Sequence, residues 1–224
     1  MKPNRHFLEL NLAIICISTS GILGRLVTLT PEVAIFWRCV FAAMILGLFV
    51  RYKKLNTKVT VRSDLKIIIL GGILMGVHWV TYFYALSLSN IAIAILTLHA
   101  FPAMTALLEP LILKTKFRFY HMTLALLVIA GVWTILPSKD FSDNTVIAIG
   151  FGLISALAYA LRNIYTRKVL PNYNGSVMMF YQLIIMTIML LPFVFLHDST
   201  PLKNDWPLLM GLALVTTVIG HTLL

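Results

Sequence analysis

The sequence predicts an all-α membrane protein: a polytopic helix bundle of two inverted five-helix repeats, the second repeat incomplete, with eight helices present. Three observations predict this class. The 224 residues are 59% hydrophobic and 12% charged, whereas soluble domains carry about 25% charged residues. Apolar segments of about 20 residues, the length of a membrane span, recur along the chain. The two halves also align with each other. A soluble globular chain or a disordered chain is excluded on this composition.

Eight apolar segments are the predicted membrane helices. Most are long enough to cross a hydrocarbon core of about 30 Å, while the second and fifth are short and are expected to extend into their flanks. The first follows Lys2 and Arg5, as in a secretory signal peptide, but seven further spans favour a membrane helix. The segments are residues 8–27, 34–50, 67–86, 91–113, 122–136, 146–165, 177–196 and 207–224.

Loop charges predict the orientation of these spans. Most of the 18 lysines and arginines lie on one side of the predicted bundle, together with the N-terminus. By the positive-inside rule this side is cytoplasmic. Its basic residues are Lys2, Arg5, Arg51, Lys53, Lys54, Lys58, Arg62, Lys66, Lys114, Lys116, Arg118, Arg162, Arg167 and Lys168. The net charge of +10 does not indicate nucleic acid, because such binding needs a basic face on a soluble domain.

Several function classes lack the residues they need. Cys16 and Cys39 lie inside apolar runs, and neither a CxxC pair nor a Cys/His metal spacing occurs. No nucleotide-binding motif is present, so no cofactor is expected. An intramembrane enzyme would need HExxH, GxSxG or paired aspartates at depth, and none occurs. A channel would repeat one polar stripe around a pore, whereas the polar residues here are scattered singly.

An internal repeat divides the chain into residues 1–137 and 146–224. The second and seventh spans align without gaps and place Arg38 over Gln182, and the first and sixth place Arg25 over Arg162. The paired spans start on opposite sides of the membrane, as inverted repeats require.

The second repeat stops where the third span of the first reaches Tyr84, so the counterpart of residues 85–137 is absent. We therefore expect the chain to be a truncated form of a ten-helix protein.

Local patterns occur in a fixed order along nearly the whole chain. They are Ser20-Gly21 before Arg25, Arg38 before Phe41-Ala42-Ala43, Tyr82-Phe83-Tyr84-Ala85-Leu86, Pro102 before Leu107-Leu108-Glu109-Pro110-Leu111, and Ala130-Gly131-Val132. On these patterns the chain resembles the EamA family of the drug/metabolite transporter superfamily. This resemblance implies two inverted five-helix repeats and the movement of small polar or amphipathic solutes, often amino acids, usually outward across the bacterial inner membrane.

Two histidines at membrane depth are the leading site candidates, because ionisable residues inside a bilayer are costly and mark functional sites by default. His78 lies near the middle of the third span beside Trp79, with Tyr82 one turn on, and His99 lies three residues before Pro102. A proline at this depth frees a backbone carbonyl and bends the helix. The histidines are predicted to bind a substrate carboxylate or to relay a proton. The alternative is that each only hydrogen-bonds a neighbouring helix.

Three other spans complete the predicted site. Arg38 lies just below the outer surface, where it either faces the cavity and attracts an anionic group or pairs with Glu32 or a lipid phosphate. Two further charged residues are assigned structural roles: Arg25 at the outer surface, and Glu109 in an interfacial ion pair. The remaining site residues are Tyr159 and Asn163 of the sixth span and Tyr181 and Gln182 of the seventh.

These observations predict a multi-pass secondary transporter of the bacterial inner membrane that exports small metabolites such as amino acids by alternating access. Its partners are the solute and the lipid bilayer. A proton as coupling ion and a homodimer are left open. The alternative function is a non-functional fragment or an assembly subunit of such a transporter.

Overall fold

The computed structural model describes residues 5–117, 119–135, 143–197 and 202–220. Within these ranges the secondary structure is helical, as predicted, and contains no strand. A 3₁₀ turn at Leu170–Asn172 precedes α8, and a π-helical segment at Leu212–Gly220, called the π segment below, continues α9. The helices are α1 Arg5–Leu26, α2 Pro31–Tyr52, α3 Arg62–Leu88, α4 Ile91–Leu98, α5 Phe101–Leu113, α6 Tyr120–Ile135, α7 Asn144–Arg167, α8 Gly175–Leu196 and α9 Leu202–Gly211.

The predicted spans correspond to these helices. Six stretches of the described chain are long and apolar enough to cross a membrane: Phe7–Leu26, Pro31–Tyr52, Arg62–Leu88, Ile91–Leu113, Asn144–Arg167 and Gly175–Leu196. The fifth predicted span is the shorter apolar helix α6, and the eighth is α9 with the π segment. Residues 136 and 221–224 at the ends of these two spans lie outside the described residues, as do Lys2 and Arg118.

The fourth span is broken, as its proline predicts. α4 ends at Leu98 and α5 begins at Phe101, so Pro102 occupies the first turn of α5. Proline is tolerated in a first turn, where its missing N–H would have no partner in the helix. His99 and Ala100 form the joint, with the His99 amide 2.9 Å from the Ile95 carbonyl oxygen.

Short polar side chains begin three of the helices. The Asn90 side chain accepts a hydrogen bond from the Ile93 amide at the start of α4, and Asp143 accepts one from Thr145 at the start of α7. Asn174 begins α8 in the same way. Such caps satisfy amides that have no carbonyl partner in the first turn, each contributing about 1 kcal/mol.

Small residues let α3 and α7 approach their neighbours closely. A Cβ added at Gly72 or at Gly76 would lie within 3.0 Å of Ile185 or Met189 on α8. A Cβ on Gly152 of α7 would lie 1.9 Å from the Thr97 hydroxyl of α4. Close backbone approach of this kind strengthens van der Waals packing between apolar helices. α3 is therefore held between α7 and α8 at the centre of the bundle, where side chains such as Met75 and Leu183 are fully buried.

Basic loops gather at one end of the bundle, which we call the basic end. The Tyr181 hydroxyl donates to the Thr57 carbonyl there, and Glu109 of α5 forms an ion pair with Arg167 of α7. Glu109 is therefore in an ion pair, but its cation is Arg167 of another helix and not the neighbouring Lys114 or Lys116 that the sequence suggests. The opposite end, where α1 meets α2 and α3 meets α4, is called the far end.

Buried Asp205 organises the far end. One of its carboxylate oxygens accepts hydrogen bonds from the Thr28 amide at 2.7 Å, the Thr28 hydroxyl at 3.0 Å and the Leu29 amide at 3.0 Å. These bonds join the start of α9 to the loop between α1 and α2. Arg25 also has a structural role, as predicted, because it donates to the carbonyl oxygens of Leu86 and Ser87 at the end of α3.

Candidate solute-binding site

His78 contacts α7 at the centre of the bundle. Its Nδ1 atom lies 2.7 Å from the hydroxyl oxygen of Ser155, and the ring is buried. The Ser155 hydroxyl is 2.8 Å from the main-chain oxygen of His78. The imidazole also stacks on the ring of Tyr159, with centroids 4.6 Å apart. Two of the predicted site residues, His78 and Tyr159, are therefore in direct contact.

His99 lies outside this contact. It is exposed at the joint between α4 and α5, where its Nδ1 atom is 2.7 Å from the carbonyl oxygen of Ile95, one turn earlier. Phe101 reaches the cluster instead, with its ring 4.8 Å from that of Tyr159. At the joint between α4 and α5, Phe101 therefore contacts the His78 cluster, whereas His99 does not.

Arg38 is buried in the far half of the bundle. Its Nε and Nη2 atoms donate to the hydroxyls of Thr217 and Thr216 at 3.0 and 2.7 Å, and its guanidinium lies 3.8 Å from the ring centroid of Trp79. The side chain is only 2% exposed. Among the described residues neither Glu32 nor any other carboxylate pairs with it, and Glu32 instead accepts a hydrogen bond from Tyr84. The alternative in which Arg38 pairs with Glu32 is wrong.

The π segment supplies both threonines to Arg38. A π-helix is wider than an α-helix and is frequently found at functional sites. Here the hydroxyls of Thr216 and Thr217 both reach the Leu212 carbonyl, at 2.6 and 3.2 Å, while both also accept from Arg38. The guanidinium is therefore held by neutral hydroxyls and an aromatic face, and its positive charge has no negative partner within the described chain.

Tyr82 lies on the same helix as Trp79 and faces α1. Its hydroxyl would be 3.1 Å from a Cβ at Gly21, and the side chain is buried. The structure therefore brings Trp79 into contact with Arg38 and places Tyr82 one turn further along the same helix.

A second cation, partly buried, lies on the basic side of His78. Arg162 of α7 donates from Nη2 to Gln182 Oε1 at 2.8 Å and from Nη1 to Asn163 Oδ1 at 3.1 Å. Gln182 is fully buried. The structure thus joins two of the predicted residues, Asn163 and Gln182, through Arg162, which the sequence places near the end of a span and opposite Arg25 in the internal repeat.

Tyr181 does not join either cluster. It lies at the basic end, where it bonds Thr57 and packs against Met178 and Ile68. A cavity of about 350 Å³ also opens near this end, and none of the nine predicted site residues lines it. Its lining residues are Pro102, Thr105, Ala106, Glu109, Pro110, Thr115, Lys116 and His121.

Together these contacts form a positively charged core between α2, α3, α7 and α8. Arg38 lies on the ring of Trp79, the neighbour of His78 on α3, and Arg162 lies one turn beyond Tyr159, on which His78 stacks. Aromatic rings of Trp79 and Tyr159 flank the charges. A region with this composition is suited to bind a carboxylate, because guanidinium groups match carboxylate geometry and aromatic faces hold an apolar side chain.

The fold defines the class of protein, a polytopic helical membrane protein, and comparisons with known proteins define the family. A model of the EamA-like transporter family matches residues 8–136 and 146–224. The chain belongs to this family. It is therefore a multi-pass membrane transporter of small metabolites and not an enzyme.

Curated relatives and a solved structure are similar over most of the chain. The pseudopaline exporter CntI of Pseudomonas aeruginosa strain UCBPP-PA14 is 23% identical over 219 residues, which cover 95% of this chain and 75% of that protein. The S-adenosylmethionine uptake transporter of Rickettsia prowazekii is 25% identical over 183 residues, 81% of this chain and 60% of that protein. A crystal structure with 16% identity superposes with a TM-score of 0.68 over 97% of this chain and 77% of its own, a likeness of fold alone.

Proposed function

We propose that the protein exports small carboxylate-bearing metabolites, such as amino acids, across the bacterial inner membrane by alternating access. The observation that carries this proposal is the buried guanidinium of Arg38, whose hydrogen-bond partners are the hydroxyls of Thr216 and Thr217. A buried charge without a counter-charge is strongly unfavourable. A solute carboxylate would supply the missing charge and accept two parallel N–H bonds.

Trp79 supports an amphipathic solute. Its ring already lies beneath the Arg38 guanidinium, a contact worth up to about 2 kcal/mol when it is desolvated. Tyr159, which stacks on His78, adds a second aromatic face at the centre of the bundle. An amino acid with an apolar side chain matches a cation flanked by aromatic rings better than a polyanion or a sugar does.

The packing of the helices supports two inverted repeats, residues 1–137 and 146–224. In the internal repeat α1 corresponds to α7, and α3 corresponds to α9 with the π segment. A two-fold axis that relates the repeats therefore exchanges the helix pair α3–α7 with the pair formed by α1 and the π segment. Both pairs are in extensive contact, and α2 packs on α8, its own counterpart. Pairs related in this way can rock between two arrangements about a central site, which is the basis of alternating access.

The direction and orientation are part of the proposal. The basic end faces the cytoplasm by the positive-inside rule. Of the relatives, CntI is named an exporter and the Rickettsia protein an uptake transporter. We favour export, as the family resemblance implies. His78 is the candidate for a coupling proton.

Uptake into proteoliposomes tests the proposal. Purified protein is reconstituted, and counterflow of radiolabelled amino acids is compared with that of their amides and of neutral sugars. Amino acids should exchange at least tenfold faster than their amides or sugars, and Arg38→Gln should reduce this preference. Exchange of the amides at the rate of the acids would exclude a carboxylate-specific site. If no solute moves, the fragment or assembly-subunit alternative gains support.

A further inference from the structure

We propose that Arg162, Gln182 and Asn163 form a second carboxylate-binding site, in the basic half of the bundle, which binds the solute when that end opens. This inference rests on the proposed function and adds to it a separate site of entry. Arg38 would then receive the carboxylate at the far end, and Arg162 would hold it at the basic end.

Within the part of the chain that the structure describes, the contacts of Arg162 leave its charge without a counter-charge. Its Nη2 and Nε atoms donate to Gln182 Oε1 at 2.8 and 3.3 Å, and Nη1 donates to Asn163 Oδ1 at 3.1 Å. Both acceptors are neutral amides. These contacts use three of the five N–H groups that a guanidinium carries, so the group retains donors for an anion.

The Gln182 amide provides further donors. Arg162 donates two hydrogen bonds to Oε1. If the Oε1 and Nε2 atoms of Gln182 were exchanged, the amide N–H groups would face the N–H groups of Arg162, so the assignment of the two atoms is fixed. Its Nε2 atom is therefore directed away from Arg162, and it has no hydrogen-bond partner although the side chain is fully buried. A buried donor without an acceptor costs free energy. That cost would be recovered in any state that brings an acceptor to Nε2.

In this structure Gly71 of α3 blocks access to the Nε2 donor of Gln182. A Cβ at Gly71 would lie 2.8 Å from Gln182 Nε2 and 2.9 Å from the Thr166 methyl group, so α3 packs directly over the amide. A shift of α3 away from α8 at Gly71 would open space beside Nε2 and Arg162. A carboxylate entering there would meet the guanidinium with one oxygen and the amide N–H with the other.

The position of Arg162 connects this site to the centre. Ser155, Tyr159 and Arg162 follow one face of α7 at the i, i+4, i+7 spacing. Ser155 and Tyr159 contact His78, and Gln182 corresponds to Arg38 in the internal repeat. A carboxylate could therefore pass from Arg162 past His78 to Arg38 along contiguous side chains.

Gln182→Glu is the decisive variant, because it replaces Nε2 with an oxygen of the same geometry and gives Arg162 a permanent counter-charge. The probe is benzoate, with benzamide as its neutral isostere, and the readout is the thermal unfolding temperature of the detergent-solubilised protein. We expect Gln182→Glu to raise the unfolding temperature without ligand and to lose at least half of the stabilisation by benzoate. A misfolded variant would instead unfold at lower temperature.

Arg162→Gln should lose the same part of the benzoate effect, whereas the matched control Arg167→Gln, five positions further along α7 and exposed, should keep it. A wild-type benzoate response in both Gln182→Glu and Arg162→Gln would overturn the second site. Because binding is measured without transport, this result is separate from a failure of the proposed function.

Sided transport completes the test. In oriented vesicles, Arg162→Gln should raise the half-saturating solute concentration at least tenfold from the basic end and less than twofold from the far end. Arg38→Gln should show the reverse. Equal changes from both ends would overturn a separate second site while leaving the transporter assignment intact.

Discussion

The Nδ1 atom of His78 lies 2.7 Å from the hydroxyl oxygen of Ser155, and that hydroxyl lies 2.8 Å from the main-chain oxygen of His78. Since a carbonyl oxygen can only accept, the single hydroxyl hydrogen is directed to it. Nδ1 must therefore be the donor to Ser155. The proton of neutral His78 is on Nδ1, and Nε2 is the position where a proton can be gained or lost without breaking the contact with α7.

Ser155→Ala should weaken the hold on this tautomer and slow transport, because Nδ1 would keep only its longer contact with the Ser155 main-chain oxygen, at 3.2 Å. The change removes a buried hydrogen bond worth about 0.5–1.5 kcal/mol net, so we expect the transport rate to fall up to about tenfold while the protein remains folded. Counterflow and circular dichroism on the same preparation measure both quantities. Ser18→Ala is the control, because Ser18 bonds only its own helix at Ile15. Equal rates in wild type and Ser155→Ala would remove the serine from the site.

Gly152→Ala should destabilise the protein, and Gly150→Ala should not. The new Cβ at residue 152 would lie 1.9 Å from the Thr97 hydroxyl oxygen and 2.6 Å from Thr97 Cβ, whereas nothing lies within 4 Å of a Cβ at residue 150. Thr97 is β-branched and stiff, so α4 must move. Overpacking of this kind costs about 1–3 kcal/mol, while alanine in an open helix position gains about 0.5–1 kcal/mol over glycine.

Thermal unfolding in detergent compares the two glycine variants directly. Unfolding temperatures that rank Gly150→Ala above wild type and Gly152→Ala below it are the expected result. A Gly152→Ala protein as stable as wild type would show that α4 does not pack on α7 at this point.

Asp205→Ala should loosen the far end. Three donors, two from Thr28 and one from Leu29, would lose their acceptor. Unsatisfied buried donors cost about 1–3 kcal/mol each, and water entering from the loop would offset part of this. We expect a clearly lower unfolding temperature, against little change for the exposed neighbour Asn204→Ala. Similar unfolding temperatures for the two variants would contradict the role of Asp205.

The orientation can be tested with a reporter that is active only in the periplasm. Inserted between α2 and α3 at Lys58, it should be inactive, because the basic end is proposed to face the cytoplasm. The same reporter at Ser89, between α3 and α4, should be active. The reverse pattern would invert the proposed direction of transport.

Helix boundaries and close packing could be predicted from the sequence, because hydropathy sets the depth of each residue and small residues mark close contacts. The break at Pro102 and the packing of Gly72 and Gly76 on α8 are examples. Which side chains of a helix face the centre of the bundle depends on the rotation of the helix about its axis, and the local sequence does not determine that rotation. His99 therefore lies at the right depth and yet faces away from His78.

The residues that the prediction missed are paired across long stretches of sequence. Asp205 lies just before the eighth predicted span, and its donors at Thr28 and Leu29 lie far away in the chain. Arg162 was counted as a basic residue near a span end, and only tertiary packing places it against Gln182. A polar residue just inside a predicted span was the available signal in the case of Arg162.

Competition between phenylalanine and its amide tests the central claim most directly. The measurement is the initial counterflow rate of both compounds, supplied at the far end, in oriented proteoliposomes of wild type and Arg38→Gln. The account predicts that wild type favours the acid by at least tenfold and that Arg38→Gln abolishes this preference. A preference for the acid that survives in Arg38→Gln would contradict the role of the buried arginine.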